Sequence, residues 1–128
     1  MKTVIMAGLL VAASAGLAVA QDRVAGQQVF TRWCLPCHDA GEGAKIKLGP
    51  PLNGLNGRKA GTWEGYSYSD ATRSSGITWS EAVFKEYVES PVQKVPGTRM
   101  AFAGLKDPKD RNDIWAYLSQ FDRDGNNK

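Results

Sequence analysis

Hydrophobic side chains recur at helical spacing in three separate stretches of the chain. The first begins after Asp22, whose carboxylate suits the cap of a helix N-terminus, and it carries an i, i+4 pair at Val29 and Trp33. The second follows Ser80, another capping residue, and ends before Pro91, which lacks the N–H that a continuing helix needs. The pattern predicts one helix on each of these two stretches.

The third stretch lies near the end of the chain. Asp107 and Pro108 form an N-cap and first-turn pair. The apolar residues that follow fall on one helical face: Ile114, Tyr117, Leu118 and Phe121. No stretch shows a clear strand pattern of alternating polar and apolar residues. The sequence therefore predicts an all-α domain with three main helices and long loops.

Two long segments between these helices lack any regular period. Positions 38–77 are rich in glycine and contain the pair Pro50-Pro51, with one short helical turn expected near positions 69–74. Positions 91–106 again hold prolines and glycines, and we expect them to form an extended strap. Loops of this length are uncommon inside a compact domain, so we expect them to wrap around something other than protein.

The first twenty residues differ in composition from the rest of the chain. One cation, Lys2, precedes an uncharged run rich in alanine and glycine that ends at Ala18-Val19-Ala20. This composition predicts an export signal cleaved after Ala20, which leaves a mature domain at positions 21–128. The alternative is an uncleaved membrane anchor, because the apolar run approaches the roughly 20 residues of a bilayer span. Loss of Lys2 lowers the net charge from +3 to +2, too little for a nucleic-acid-binding domain.

Both cysteines and the only histidine lie within five positions, in Cys34-Leu35-Pro36-Cys37-His38. In this spacing two thiols can add to the vinyl groups of a haem while the histidine reaches its iron. The alternatives are a thioredoxin-like redox pair, a zinc site and a structural disulfide. The first needs a βαβ context and the second needs four ligands, and the sequence offers neither. Covalent haem is favoured because neighbouring thiols should not stay free in an oxidising compartment.

The second axial ligand of such an iron decides what the haem can do. A filled position favours electron transfer, whereas an open one permits ligand or peroxide chemistry. Met100 is the only methionine of the mature chain, and it lies in the irregular strap, where a loop can direct its thioether at iron. The alternative is a methionine that simply fills the core. A thioether ligand raises the redox potential relative to a second imidazole.

The sequence resembles the soluble class I cytochromes c, and most of all the bacterial relatives of the mitochondrial protein, the cytochrome c2 type. The resemblance spans positions 26–118 and rests on CLPCH, GRKAG at 57–61, YSYSDA at 66–71, GITW at 76–79 and PGTRMAFAG at 96–104. It implies a class I fold in which three main helices and long loops wrap around one haem. Thr72 and Arg99 depart from the family's usual asparagine and lysine.

The resemblance also implies roles for individual residues. Haem c would be joined by thioethers to Cys34 and Cys37, with His38 and Met100 as axial ligands, and His38 would donate a hydrogen bond to the carbonyl of Pro50. The other expected haem contacts are Arg58, Tyr68 and Trp79 toward the propionates, Tyr87 toward the methionine sulfur, and Thr98 toward a propionate or the methionine loop. Phe30 and Tyr117 would pack the first and last helices together where Gly26 permits a close approach.

The implied function is that of a soluble, monomeric, periplasmic one-electron carrier and not of an enzyme. The family implies a membrane cytochrome bc complex as donor and an oxidase, photosynthetic reaction centre or reductase as acceptor, met by transient electrostatic docking. Trp33, Val92 and Gln93 stand where mitochondrial members often have lysines, so the docking ring is thinner. The basic residues that remain for it are Lys45, Lys47, Lys59, Lys85, Lys94, Arg99 and Lys106. The alternatives are the haem subunit of a dedicated periplasmic dehydrogenase, a peroxidase and a ligand sensor.

Overall fold

The computed structural model describes residues 21–128, so the predicted signal peptide lies outside the described residues. Long loops join the helical elements, which are α1 Arg23–Val29, a π-helical turn Phe30–Cys34, α2 Asp70–Arg73, α3 Glu81–Glu89, α4 Pro91–Lys94 and α5 Pro108–Leu118. Outside the helices, isolated bridges join Lys59 to Thr78 and Phe121 to Asn127. Within positions 21–128 no helix has the length and apolar character of a membrane span.

Each of the three main helices begins at the capping residue that the sequence indicates. The side chains of Asp22, Ser80 and Asp107 each accept a hydrogen bond from a backbone N–H of the first turn, at 2.9, 3.3 and 2.8 Å respectively. Ser69 does the same for the short helix α2, at 3.1 Å. These side chains satisfy donors that a helix N-terminus otherwise leaves unpaired. The predicted positions of all four helix starts are confirmed.

The prediction of an extended strap over positions 91–106 is wrong for its first four residues. Helix α3 ends at Glu89, and after Ser90 the chain starts the short helix α4 at Pro91. Proline suits the first position of a helix, since its missing N–H would have no partner there. The residue that prevents α3 from continuing therefore begins the next helix, and the strap is confined to residues after Lys94.

Helix α1 passes into a π-helical turn that ends at the first cysteine. The N–H of Leu35 donates to the carbonyl of Phe30, five residues earlier, at 2.8 Å. Such turns are rare and are frequently found at functional sites. Cys34 is the last residue of the turn, so this irregularity fixes the direction in which the cysteine motif leaves the helix.

Helices α1 and α5 cross in close contact at Gly26. A side chain at this position would collide with the backbone carbonyl of Asp113 and with the Cβ of Tyr117. Next to the crossing, the rings of Phe30 and Tyr117 pack with their centroids 5.4 Å apart, and Ile114 is fully buried. The predicted packing of the first helix on the last is confirmed, and it frames one side of the core.

After α5 the chain folds back in a C-terminal turn, residues 121–128, that the sequence did not predict. The carboxylate of Asp122 accepts hydrogen bonds from the N–H groups of Asp124 and Asn126, each at 2.9 Å. Gly125 packs so closely against the carbonyl of Gly41 that any side chain there would collide with it. The turn therefore rests on the long loop that follows the cysteine motif.

Candidate functional site

A cavity of about 460 Å³ lies between the long loops and the helices, within the usual size range of ligand pockets. Every residue that the sequence singled out for the site lies on its wall: Cys34, Cys37, His38, Pro50, Arg58, Tyr68, Trp79, Tyr87, Thr98 and Met100. These residues come from the π-helical turn and the motif that follows it, the first long loop, α3 and the residue Trp79 just before it, and the strap. The segments without periodicity thus converge on one space.

Apolar residues that the sequence did not assign to the site complete the wall. They are Leu52, Leu55, Phe84, Val88, Phe102 and Leu105. Phe84 and Val88 form an i, i+4 pair on the buried side of α3, a pattern that equally fits an ordinary protein core. The cavity is therefore largely apolar, with polar side chains at a few positions.

Cys34 and Cys37 are not joined to each other in the structure. The backbone N–H groups of Cys37 and His38 both donate to the carbonyl of Cys34, at 3.0 and 2.8 Å, and hold the motif in a compact turn. Burial, and then the neighbouring thiol of Cys37, raise the pKa of Cys34 to about 12. A thioredoxin-like pair depends on a thiol with a lowered pKa, so the surroundings of Cys34 disfavour that alternative.

The ring of His38 is held between Pro50 and Gly49. Its Nδ1 lies 2.7 Å from the carbonyl oxygen of Pro50, and because a carbonyl only accepts, Nδ1 carries the proton. Burial lowers the pKa of His38, helped by the charges of Arg58 and Lys47 and opposed by the bond to Pro50. The neutral ring keeps the lone pair of Nε2 available for a metal. A side chain at Gly49 would collide with this ring.

Met100 is attached to α3 through two hydroxyl groups. The Met100 N–H donates to Thr98 Oγ1 at 3.3 Å, and the same oxygen lies 3.1 Å from the hydroxyl of Tyr87. The ring of Trp79 meets that of Tyr87 edge to face, with centroids 5.1 Å apart. Burial raises the pKa of Tyr87, although the bond to Thr98 opposes the shift, so its hydroxyl stays protonated. The methionine loop is therefore braced from the helix.

Arg58 and Tyr68 reach the cavity from the first long loop. The Nη1 of Arg58 donates to the carbonyl oxygens of Pro51 and Asn53, at 3.0 and 2.8 Å. The hydroxyl of Tyr68 accepts a hydrogen bond from the backbone N–H of Trp63 at 3.0 Å. Burial lowers the pKa of Arg58. A half-buried guanidinium on an otherwise apolar wall is suited to bind an anionic group.

These features fit a haem. Two thiols at the required spacing and a neutral imidazole lie on one apolar wall, and Gly49 leaves room for the imidazole ring. Residues 24–122 match the cytochrome c family. The chain belongs to this family. Cytochromes c carry covalently bound haem c, and this use of both thiols leaves none for a redox pair, a zinc site or a disulfide.

Several named cytochromes are similar to this cytochrome c along most of its length. It is 52% identical over 128 residues to cytochrome c2 of Blastochloris viridis, with 100% of both chains covered. It is 60% identical over 101 residues to cytochrome c-550 of Bradyrhizobium diazoefficiens, with 79% of this chain and 74% of that protein covered. It is 50% identical over 123 residues to cytochrome c-554 of Methylosinus trichosporium, with 95% and 92% covered. The resemblance to class I cytochromes of the c2 type and the all-α fold are confirmed.

Proposed function

We propose that this cytochrome c is a one-electron carrier whose haem is joined to Cys34 and Cys37 and bound axially by His38 and Met100. One observation carries the proposal: both thiols, the imidazole and the thioether line a single cavity. Bound haem supplies a one-electron couple of its iron. The part of the protein is to position the two ligands and to exclude other molecules from the iron.

The surroundings of His38 and Met100 support this positioning role of the protein. The bond from His38 to Pro50 fixes the ring orientation and makes Nε2 a better ligand, as outer-shell partners of metal-bound histidines do. Thr98 holds the backbone of Met100 and restricts the strap. A filled sixth position with few moving parts favours electron transfer over ligand or peroxide chemistry. With no second histidine in the chain to act as acid or base, we propose a carrier and not an enzyme.

The expected redox partners are those of the family. We expect the protein to meet them in the periplasm, after its signal peptide is cleaved after Ala20. We propose a membrane cytochrome bc complex as donor and an oxidase, reaction centre or reductase as acceptor. Part of the predicted basic ring is engaged within the chain, because Lys85 and Lys94 form ion pairs and Lys106 bonds the carbonyl of Glu89. We therefore expect docking to depend on salt less steeply than with a full lysine ring.

Exposed apolar side chains at the cavity favour a second candidate, the haem subunit of a periplasmic dehydrogenase. Trp33 and Leu48 are 45% and 78% exposed, and both also line the cavity. A lasting partner would remove this surface from water, which a transient partner does only briefly. Gel filtration of the protein from its own source separates the two. A carrier elutes as a monomer, whereas a subunit elutes together with its enzyme in fixed proportion.

The proposed ligation is tested by optical spectroscopy of the haem-loaded protein, first oxidised, then reduced and exposed to carbon monoxide. We expect a weak far-red band from sulfur bound to ferric iron and no spectral shift with carbon monoxide. Met100→Leu removes the sulfur at similar side-chain volume, so the band should vanish and carbon monoxide should bind. Leu48→Ala, at an exposed position of the same cavity, should change neither. A wild-type protein that lacks the band and binds carbon monoxide would disprove the proposal.

A further inference from the structure

Two arginines share one indole ring beside the cavity. The guanidinium groups of Arg58 and Arg123 both lie over the ring of Trp63, each 5.1 Å from its centroid. Cations within about 6 Å of a tryptophan ring are attracted by its electrons. Arg58 lines the cavity, whereas Arg123 belongs to the C-terminal turn and is exposed. Trp63 therefore connects a cation of the site with a cation on the surface.

Neither arginine has an acidic partner within the part of the chain that the structure describes, where the ion pairs involve other side chains. Burial is the main cause that lowers the pKa of Arg58; Tyr68 opposes this shift, and the positive charge of Arg123 adds to it. Two like charges at one ring repel each other, and an anion placed next to them would relieve that repulsion. Haem carries two propionate carboxylates, which are anions of the required kind.

The fold holds both arginines in place. Arg58 is bound to the carbonyls of Pro51 and Asn53. The backbone of Arg123 packs against Gly54, where a side chain would come within 2.9 Å of the Arg123 Cα. The turn around it is closed by the N–H of Asp122, which donates to the carbonyl of Asn126 at 2.9 Å. The position of Arg123 is thus set by a closed turn and not by a frayed terminus.

We propose that Trp63 and Arg123 are positioning residues for the propionate end of the haem. The ring of Trp63 orders the guanidinium of Arg58. Arg123, held at the same ring, adds a second positive charge next to the site. Positive charge near the haem favours the reduced iron, so the pair raises the midpoint potential. The inference rests on the proposed electron-carrier function and adds two residues, from a loop and the C-terminal turn, to the site.

The midpoint potential of the haem-loaded protein, titrated at low and high ionic strength, tests the role of Arg123. Arg123→Gln should lower the potential, with a decrease of at least ~2-fold in the equilibrium constant for reduction, and the shift should shrink in high salt. Arg123→Lys keeps the charge and should keep most of the potential. Arg23→Gln removes the same charge from the exposed first turn of α1 and should leave the potential unchanged.

The role of Trp63 is tested by substitutions that keep or remove its aromatic ring. Trp63→Phe keeps an aromatic face and should retain the potential, whereas Trp63→Ala should lower it. In the Trp63→Ala background, Arg123→Gln should lower the potential by less than it does in the wild type, because the two act together. Variants that lose unfolding stability at an unchanged potential would overturn the inference. Equal potentials in the wild type and in Arg123→Gln would also overturn it. In that case a reversible one-electron couple of the wild-type haem would still support the electron-carrier function. A wild-type protein without such a couple would disprove the electron-carrier function itself.

Discussion

Replacement of Gly26 by alanine tests whether the crossing of α1 and α5 limits the stability of the fold. Gly26 lies inside α1, where alanine is favoured over glycine by about 1 kcal/mol because of its helix propensity. In the structure, however, the new Cβ would collide with the carbonyl of Asp113 and with the Cβ of Tyr117. Propensity and packing therefore predict effects of opposite sign.

Packing should win because the obstacle is the backbone of α5, which cannot rotate aside as a flexible side chain can. The two helices must separate, and this loosens the contact of Phe30 with Tyr117 and the packing of Ile114 and Leu118, both 0% exposed. Overpacking a core costs about 1–3 kcal/mol, and a backbone obstacle places this site at the upper end. After the gain from propensity, we expect a net loss of about 2 kcal/mol in the free energy of unfolding, and a Tm lower by ~10 °C.

The assay is denaturant unfolding of the haem-loaded protein, followed by circular dichroism. Gln27→Ala is the matched control, since Gln27 is the exposed neighbour of Gly26 in the same helix, and its free energy of unfolding should stay within about 0.5 kcal/mol of the wild type. A Gly26→Ala protein as stable as the wild type, or more stable, would refute the reasoning, because propensity would then outweigh the collision.

Two further predictions concern Gly49 and Asp113. Gly49→Ala places a methyl group in the space of the His38 ring, so the haem-loaded variant should show an altered axial-ligand spectrum; an unchanged spectrum would contradict this. Asp113 is 1% exposed, and although burial tends to raise its pKa, hydrogen bonds from Lys109 and from the N–H of Asp22 outweigh burial and lower it. Its ionised form should therefore stabilise the fold above the unfolded-state pKa, and this stabilisation should be lost as pH falls through the lowered pKa. Asp113→Asn should remove that part of the pH dependence of the unfolding free energy, and equal slopes between pH 7 and 2 in both proteins would count against it.

The sequence predicts the main helices well because their starts depend on local chemistry. Asp22, Ser80 and Asp107 cap in the structure the helices that they indicate in the sequence. Helix α4 was missed because Pro91 carries two opposite signals: it prevents one helix from continuing and favours the first position of another. Whether Pro91 only ends α3 or also begins a new helix depends on the backbone conformation of Ser90, and a hydrophobic pattern carries no information about that conformation.

The C-terminal turn and the shared indole ring depend on contacts between distant parts of the chain. Gly125 meets the backbone of Gly41, and Arg123 meets Trp63, across separations that no periodicity of the sequence connects. Such contacts arise from the packing of loops on one another. Local propensity therefore carries little information about them.

The site also has a part that the sequence predicts and a part that it does not, and the types of residue explain the difference. In a small chain with a predicted export signal, cysteine and histidine have few uses, so the spacing of Cys34, Cys37 and His38 favours covalent haem before the structure is known. A side chain such as Phe84 or Val88 meets the same physical requirement whether it faces haem or another side chain, namely removal from water in a close-packed contact. Helical periodicity reports this requirement and not the identity of the neighbour. The apolar wall therefore emerges only when the loops that complete the cavity are in place.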